Sequence, residues 1–314
     1  MHPLILVPLI VLCVAATAAA EEVVDPGAAH QAVFDNNDFP SATACGDCHP
    51  KHYRQWSVSQ HAYAQLSPVF NAMHGTILKF SQSTNGDFCI RCHTPVGMNL
   101  NEDIFMSNID RHPASREGVT CIACHRLSQS YGKLSGRLHV AEGPVTAPIY
   151  GANGDPAELD RAIDKSGLVT NPDSVGRSVH GEVVENVQMT TSAFCGSCHD
   201  VNLVNGFRLE EAFSEYKNSP ANSRDITCQD CHMGKEPGRL MAERSDPDFI
   251  HKNYDFGPAA KVGSLETEPR KLTNHMFVGP DYSVLPPSLF PLDLRAIKEE
   301  HEKDDFRARG MATI

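Results

Sequence analysis

Ten of the eleven cysteines fall into five C-x-x-C-H units, and no other feature restricts the folding of this chain so tightly. The pairs are Cys45/Cys48, Cys89/Cys92, Cys121/Cys124, Cys195/Cys198 and Cys228/Cys231. Each is followed at once by a histidine: His49, His93, His125, His199 and His232. With 11 cysteines and 16 histidines in 314 residues, random placement would give about 0.02 such units. Two thiols three positions apart on one turn can each form a thioether with a haem vinyl group. The next residue then presents its imidazole to the iron. Disulfides need no trailing histidine. Structural zinc sites join one C-x-x-C to another or to a histidine pair, and a thioredoxin-like pair occurs once, after a strand. The units therefore predict five covalent haems c, with ten cysteines as attachment points and five histidines as proximal iron ligands.

The eleventh cysteine, Cys13, lies in an apolar run from Leu4 to Ala20 that ends in Ala18-Ala19-Ala20 before Glu21-Glu22. Seventeen residues containing Pro8 are short for a membrane-spanning helix. Residues 1–20 read as a secretory signal peptide, although no Lys or Arg opens them; an uncleaved anchor is the competing reading. The expected location is periplasmic or extracellular, where covalent haem attachment takes place. The formal charge of −12 argues against a nucleic-acid partner, which needs a basic surface. The 294 residues after the leader give about 59 per haem, too few for one globular domain around each. The haems must share a core, and such closeness is what electron hopping requires.

The motifs begin at 45, 89, 121, 195 and 228, so that spacings of 32 and 33 recur. Phe88-Cys89 followed by Val119-Thr120-Cys121 is echoed by Phe194-Cys195 followed by Ile226-Thr227-Cys228. His74-Gly75 and His180-Gly181 each precede their motif by 15 residues. One domain over 21–292 is expected: a first haem unit (21–70), two related dihaem units (71–150 and 177–232) and a C-terminal wrap (233–292). A charged tail or helix follows over 293–314. The expected fold is mainly α with much irregular loop and few or no strands. Helices are expected at 51–66 and 207–218, and loop over 131–176, where Gly, Pro and Asp abound.

Ten histidines remain once His2 and the proximal five are set aside. Five of them are the candidate distal ligands: His61, His74, His139, His180 and His275. His74 and His180 are supported by their equal offsets, and His61 by its place opposite the aromatic face of its helix. His139 and His275 have less internal support. His112 and His251 are the reserves. His30, His52 and His301 lie in polar surroundings that suit solvated side chains. Met98, Met189 and Met233 read as packing rather than ligands. Ligation by histidine on both sides implies lower potentials than Met/His ligation.

Several words around the motifs resemble the multihaem cytochromes c of the hydroxylamine-oxidoreductase-like superfamily, which includes the tetrahaem electron acceptor of ammonia oxidisers. They are Cys45-Gly46-Asp47-Cys48-His49, Trp56-Ser57-Val58-Ser59-Gln60-His61-Ala62, Gly118-Val119-Thr120-Cys121, Phe194-Cys195-Gly196-Ser197-Cys198-His199-Asp200 and Asn274-His275-Met276-Phe277-Val278-Gly279. Leu209 to Pro220, leading to Cys228-Gln229-Asp230-Cys231-His232-Met233, is also similar. The resemblance implies a helical fold organised by stacked and perpendicular haem pairs, and it favours His61, His180 and His275 as distal ligands. No C-x-x-C-K unit is present, so the catalytic haem of pentahaem nitrite reductases has no counterpart. The leading expectation is electron transfer between redox proteins, such as a membrane quinol dehydrogenase or other cytochromes. The alternatives are an oxidoreductase acting on a small nitrogen or sulfur compound at a five-coordinate haem, and a self-associating subunit of an extracellular filament.

Overall fold

In a computed structural model, the cysteine motifs wind as helical turns. His49, His93 and His199 donate their backbone N–H to the carbonyl of their motif's first cysteine, at 2.8, 3.3 and 3.0 Å. Cys121–His125 and Cys228–His232 are complete short helices. One turn of this kind places two thiols and an imidazole on one side of the backbone. The structure describes residues 38–130, 136–203 and 205–278. The leader, His30, His301 and the charged tail lie outside them.

The architecture is mostly short helix and irregular chain, as expected. The longest described helix, Pro68–Phe80, has 13 residues, with Ser67 accepting from the Phe70 N–H at its start. It is too short to cross a membrane, as is every other described helix. Strands are two or three residues long apart from Leu127–Ser130, and they pair only in twos among the described residues. Four of these ladders are antiparallel; Ile149–Gly151 with Val183–Glu185 is parallel.

Local chemistry accounts for several departures from the expected helices. The helix expected over 51–66 divides into Pro50–Ser57 and Gln60–Tyr63. Ser59 is the break: its extended backbone and its hydroxyl, which accepts from the Ala62 N–H at 3.3 Å, start a new helix. The helix expected over 207–218 begins only at Ala212, because Arg208–Glu210 forms a strand against Val201–Asn202. Within the expected loop 131–176, Pro156–Ser166 is an amphipathic helix. Asp155 caps its start, and Gly167 ends it at φ +60°. The helix Pro68–Phe80, not expected from the sequence, carries His74. His180 lies in irregular chain before a strand, so the equal offsets of these two histidines are not matched by equal backbone.

The core consists of several small clusters, a form suited to a protein whose interior is shared with large prosthetic groups. Ala42, Tyr53, Trp56, Ala62 and Tyr63 form one, with Cys121 against it. Phe39, Val96, Ala114, Ile122 and Val140 form another. Val58, Met276 and Val278 form a third, which brings the C-terminal His275 segment onto the first haem unit.

Candidate haem-binding site

All ten motif cysteines are free, partly buried thiols. Motifs distant in sequence converge: the thiols of Cys45 and Cys121, of Cys92 and Cys198, and of Cys195 and Cys228 lie within reach of each other. Burial pushes the Cys124 thiol up to about 12. These residues fit thioether attachment, which removes the thiol proton altogether.

The motif histidines share one arrangement. The Nδ1 atoms of His49, His93, His125 and His232 meet the backbone carbonyls of Ala259, Ala64, Tyr150 and Val278, at 2.8, 3.0, 2.8 and 2.8 Å. His199 Nδ1 meets the Glu210 carboxylate at 2.7 Å. An Nδ1–H donor held in this way fixes the ring and its tautomer and leaves Nε2 with a lone pair for a metal. Burial pushes His49, His93 and His125 below the usual imidazole range, which keeps them neutral and able to ligate.

Two nominated distal histidines lie close to motif histidines. Two imidazoles that held one iron between them would have ring centres about 6.3 Å apart, given metal–nitrogen bonds of about 2 Å. The centres of His61 and His199 are 6.2 Å apart, and those of His125 and His275 are also 6.2 Å apart. His275 Nδ1 meets the Thr273 carbonyl at 3.0 Å, which again leaves Nε2 for the metal. Burial pushes His61 down to about 3 and His275 well below its ordinary value. His49 and His52 have a similar 6.3 Å separation. Being three residues apart at one helix start, they lie side by side and cannot oppose each other across an iron.

His61 is held from a distance in sequence. The Val119 N–H donates to the His61 carbonyl at 2.9 Å, and the Trp56 indole N–H donates to the Val119 carbonyl at 2.8 Å. Gly118 has φ +67°, and a Cβ on it would sit 2.5 Å from the His61 oxygen. The word Gly118-Val119-Thr120-Cys121 thereby joins the third motif to the backbone of His61. Glu117 completes the corner: its buried carboxylate accepts from Ser41, from the Ala42 N–H at 2.9 Å and from Thr120 at 2.6 Å.

His74 is buried, and its Nε2 has no hydrogen-bond partner. A buried ring nitrogen without a partner is costly unless something binds it. His74 lies within electrostatic reach of His93, and the Phe70 ring stacks on both. His180, pushed down to about 4 by burial, lies within electrostatic reach of His49 and His125. His139 sits on the Leu138–Val140 strand, opposite Gln129, between two buried neighbours, and keeps only its sequence support. His232 is exposed, and none of the ring contacts among the described residues includes it.

His52 departs from the solvated side chain expected. Its ring packs 4.7 Å from His275, and burial pushes it down to about 4. Its spacing of three from His49 was the available signal. The reserves take other roles: His112 Nδ1 accepts from the Ala114 N–H at 3.2 Å at a helix start, and exposed His251 stacks on Phe256 at 4.8 Å.

The fifth motif is anchored by Asp230, which is 1 % exposed. Its carboxylate accepts from Tyr254 at 2.6 Å, Arg244 at 2.7 and 2.8 Å, and both Thr227 groups at 2.8 Å.

The repeated thiol–imidazole units on a mostly helical frame are of the kind that attaches haem in c-type cytochromes. Residues 44–126, which span the first three motifs, match the family described as cytochrome c554 and c-prime. The chain is also similar to a penta-heme cytochrome c552 from Thermochromatium tepidum. That likeness has a TM-score of 0.47 and 22% identity, over 78% of this chain and 58% of the other. The chain thus spans less than two thirds of that protein's length. No curated protein matches.

Proposed function

We propose that the chain is an exported five-haem electron carrier, allied to the hydroxylamine-oxidoreductase-like cytochromes, whose irons are held by histidine on both faces at low potential. The observation that carries this reading is the histidine geometry: five motif rings with Nδ1 engaged, and two ring pairs whose centres lie 6.2 Å apart. Haem iron supplies the one-electron chemistry when bound. The cysteine pairs attach the groups. His49, His93, His125, His199 and His232 ligate from the proximal side. His61 serves the iron of His199, and His275 that of His125. His74 and His180 serve those of His93 and His49, on the strength of their neighbourhood. His139 is left for the iron of His232. The donor and acceptor are redox proteins, a membrane quinol dehydrogenase or other cytochromes, met outside the cytoplasm.

The test is electron paramagnetic resonance of the oxidised holoprotein, together with haem quantitation and exposure to nitrite and hydroxylamine. Five haems, all low-spin and inert to both compounds, are expected. A stable high-spin haem that binds either compound would overturn the electron-carrier reading in favour of catalysis at that iron.

A further inference from the structure

Among the five motif histidines, one is held differently. Four direct Nδ1 to a backbone carbonyl, and His199 alone directs it to a carboxylate, Glu210 Oε1 at 2.7 Å. Tertiary structure builds this contact. The chain leaves the fourth motif, forms Val201–Asn202 and pairs it with Arg208–Glu210, in a register that sets Glu210 opposite Val201. The Phe213 N–H then donates to the His199 carbonyl at 2.9 Å and ties the far side of the hairpin to the motif. Arg208 is taken up by Asp200 at 3.1 Å and by Glu211 at 2.9 Å, leaving Glu210 to the imidazole.

A carboxylate draws the Nδ1 proton more strongly than a carbonyl does, since charge-assisted bonds are about twice as strong as neutral ones. The ring gains imidazolate character and becomes a better donor at Nε2, which favours ferric over ferrous iron. We infer that Glu210 is a positioning residue that makes the haem of Cys195 and Cys198, ligated by His199 and His61, lower in potential than it would be with a carbonyl partner. This inference rests on the reading of His199 as an iron ligand. Hydrogen bonding to a ligand is one of the few controls a protein has over haem potential, and among the five motif histidines a charged acceptor is applied to one. Electrons delivered to the assembly would then reside on this haem less than they would if His199 had a carbonyl partner.

The test compares Glu210→Gln, Glu211→Gln and wild-type holoproteins by potentiometric titration and electron paramagnetic resonance. Glu211 lies one residue away, carries the same charge and pairs with Arg208, so its variant removes charge without removing the bond to His199. In E210Q, one of the five midpoints is expected to rise. The ferrous-to-ferric ratio at that haem would increase about tenfold at fixed potential, or about 59 mV for one electron. One set of low-spin g-values should move with it, while E211Q leaves both unchanged. Unchanged midpoints in E210Q, or an equal rise in E211Q, would overturn the inference. Five low-spin signals in the wild type would meanwhile uphold the ligation on which it depends, and a wild type lacking them would refute that reading separately.

Discussion

Gly118 links the backbone of the third motif to that of His61, the proposed distal ligand of the fourth, so Gly118→Ala tests the site geometry with one methyl group. At φ +67° an alanine costs about 1–2 kcal/mol relative to glycine. Its Cβ would lie 2.5 Å from the His61 carbonyl oxygen, against a floor near 3.0 Å for real contacts. That oxygen, and the His61 backbone with it, must retreat by at least 0.5 Å. The Val119 N–H bond to the same oxygen, now 2.9 Å, lengthens or breaks, at about 1 kcal/mol more. The expected total is about 2–3 kcal/mol of lost stability, read by denaturant unfolding of the holoprotein. Moving His61 should also weaken the sixth bond to the iron of His199. A high-spin ferric signal should appear at one haem of five, and carbon monoxide should bind one reduced haem. Gly75→Ala is the control, since a Cβ there meets nothing within 4 Å and the residue sits inside the helix Pro68–Phe80. If G118A matches the wild type in stability and spectra, the proposed hold on His61 is wrong.

Three further perturbations address other parts of the argument. In Asp230, burial alone would push the carboxyl up, but the bonds from Tyr254, Thr227 and Arg244 outweigh it and hold it below the usual carboxylate range. Its stabilisation is therefore present above the unfolded value of about 3.9 and is lost as pH falls through the lower folded value. Asp230→Ala should cost about 3–5 kcal/mol near neutral pH and flatten that acid limb, as measured by unfolding across pH. Arg126→Leu should cost about 2–4 kcal/mol by calorimetry, because the buried guanidinium donates to the Gly143 and Pro144 carbonyls, and both would lose their donor. A thiol assay on the unfolded secreted holoprotein should find no reactive thiol before or after reduction, since thioethers resist both. Thiols released by reduction would revive the disulfide reading.

The sequence by itself determined the prosthetic chemistry, because covalent attachment needs two thiols and an imidazole within one turn, and five residues contain that whole requirement. It also marked His61, His74, His180 and His275 as candidates, through repeat offsets and through words shared with other cytochromes. Tertiary structure decided which rings meet. His61 and His199 are far apart in sequence, as are His125 and His275, and no local pattern encodes a 6.2 Å approach between them. His52 looked like a solvated residue because its sequence neighbours are polar, whereas its spatial neighbours are His49 and His275. The stretch 207–218 looked helical throughout, yet pairing with Val201–Asn202 drew Arg208–Glu210 into a strand, a long-range gain that outweighs weak local helix propensity. That same pairing carries Glu210 to His199. The kind of iron site is thus written in short words of sequence, and the tuning of each site comes from contacts made only when distant segments fold together.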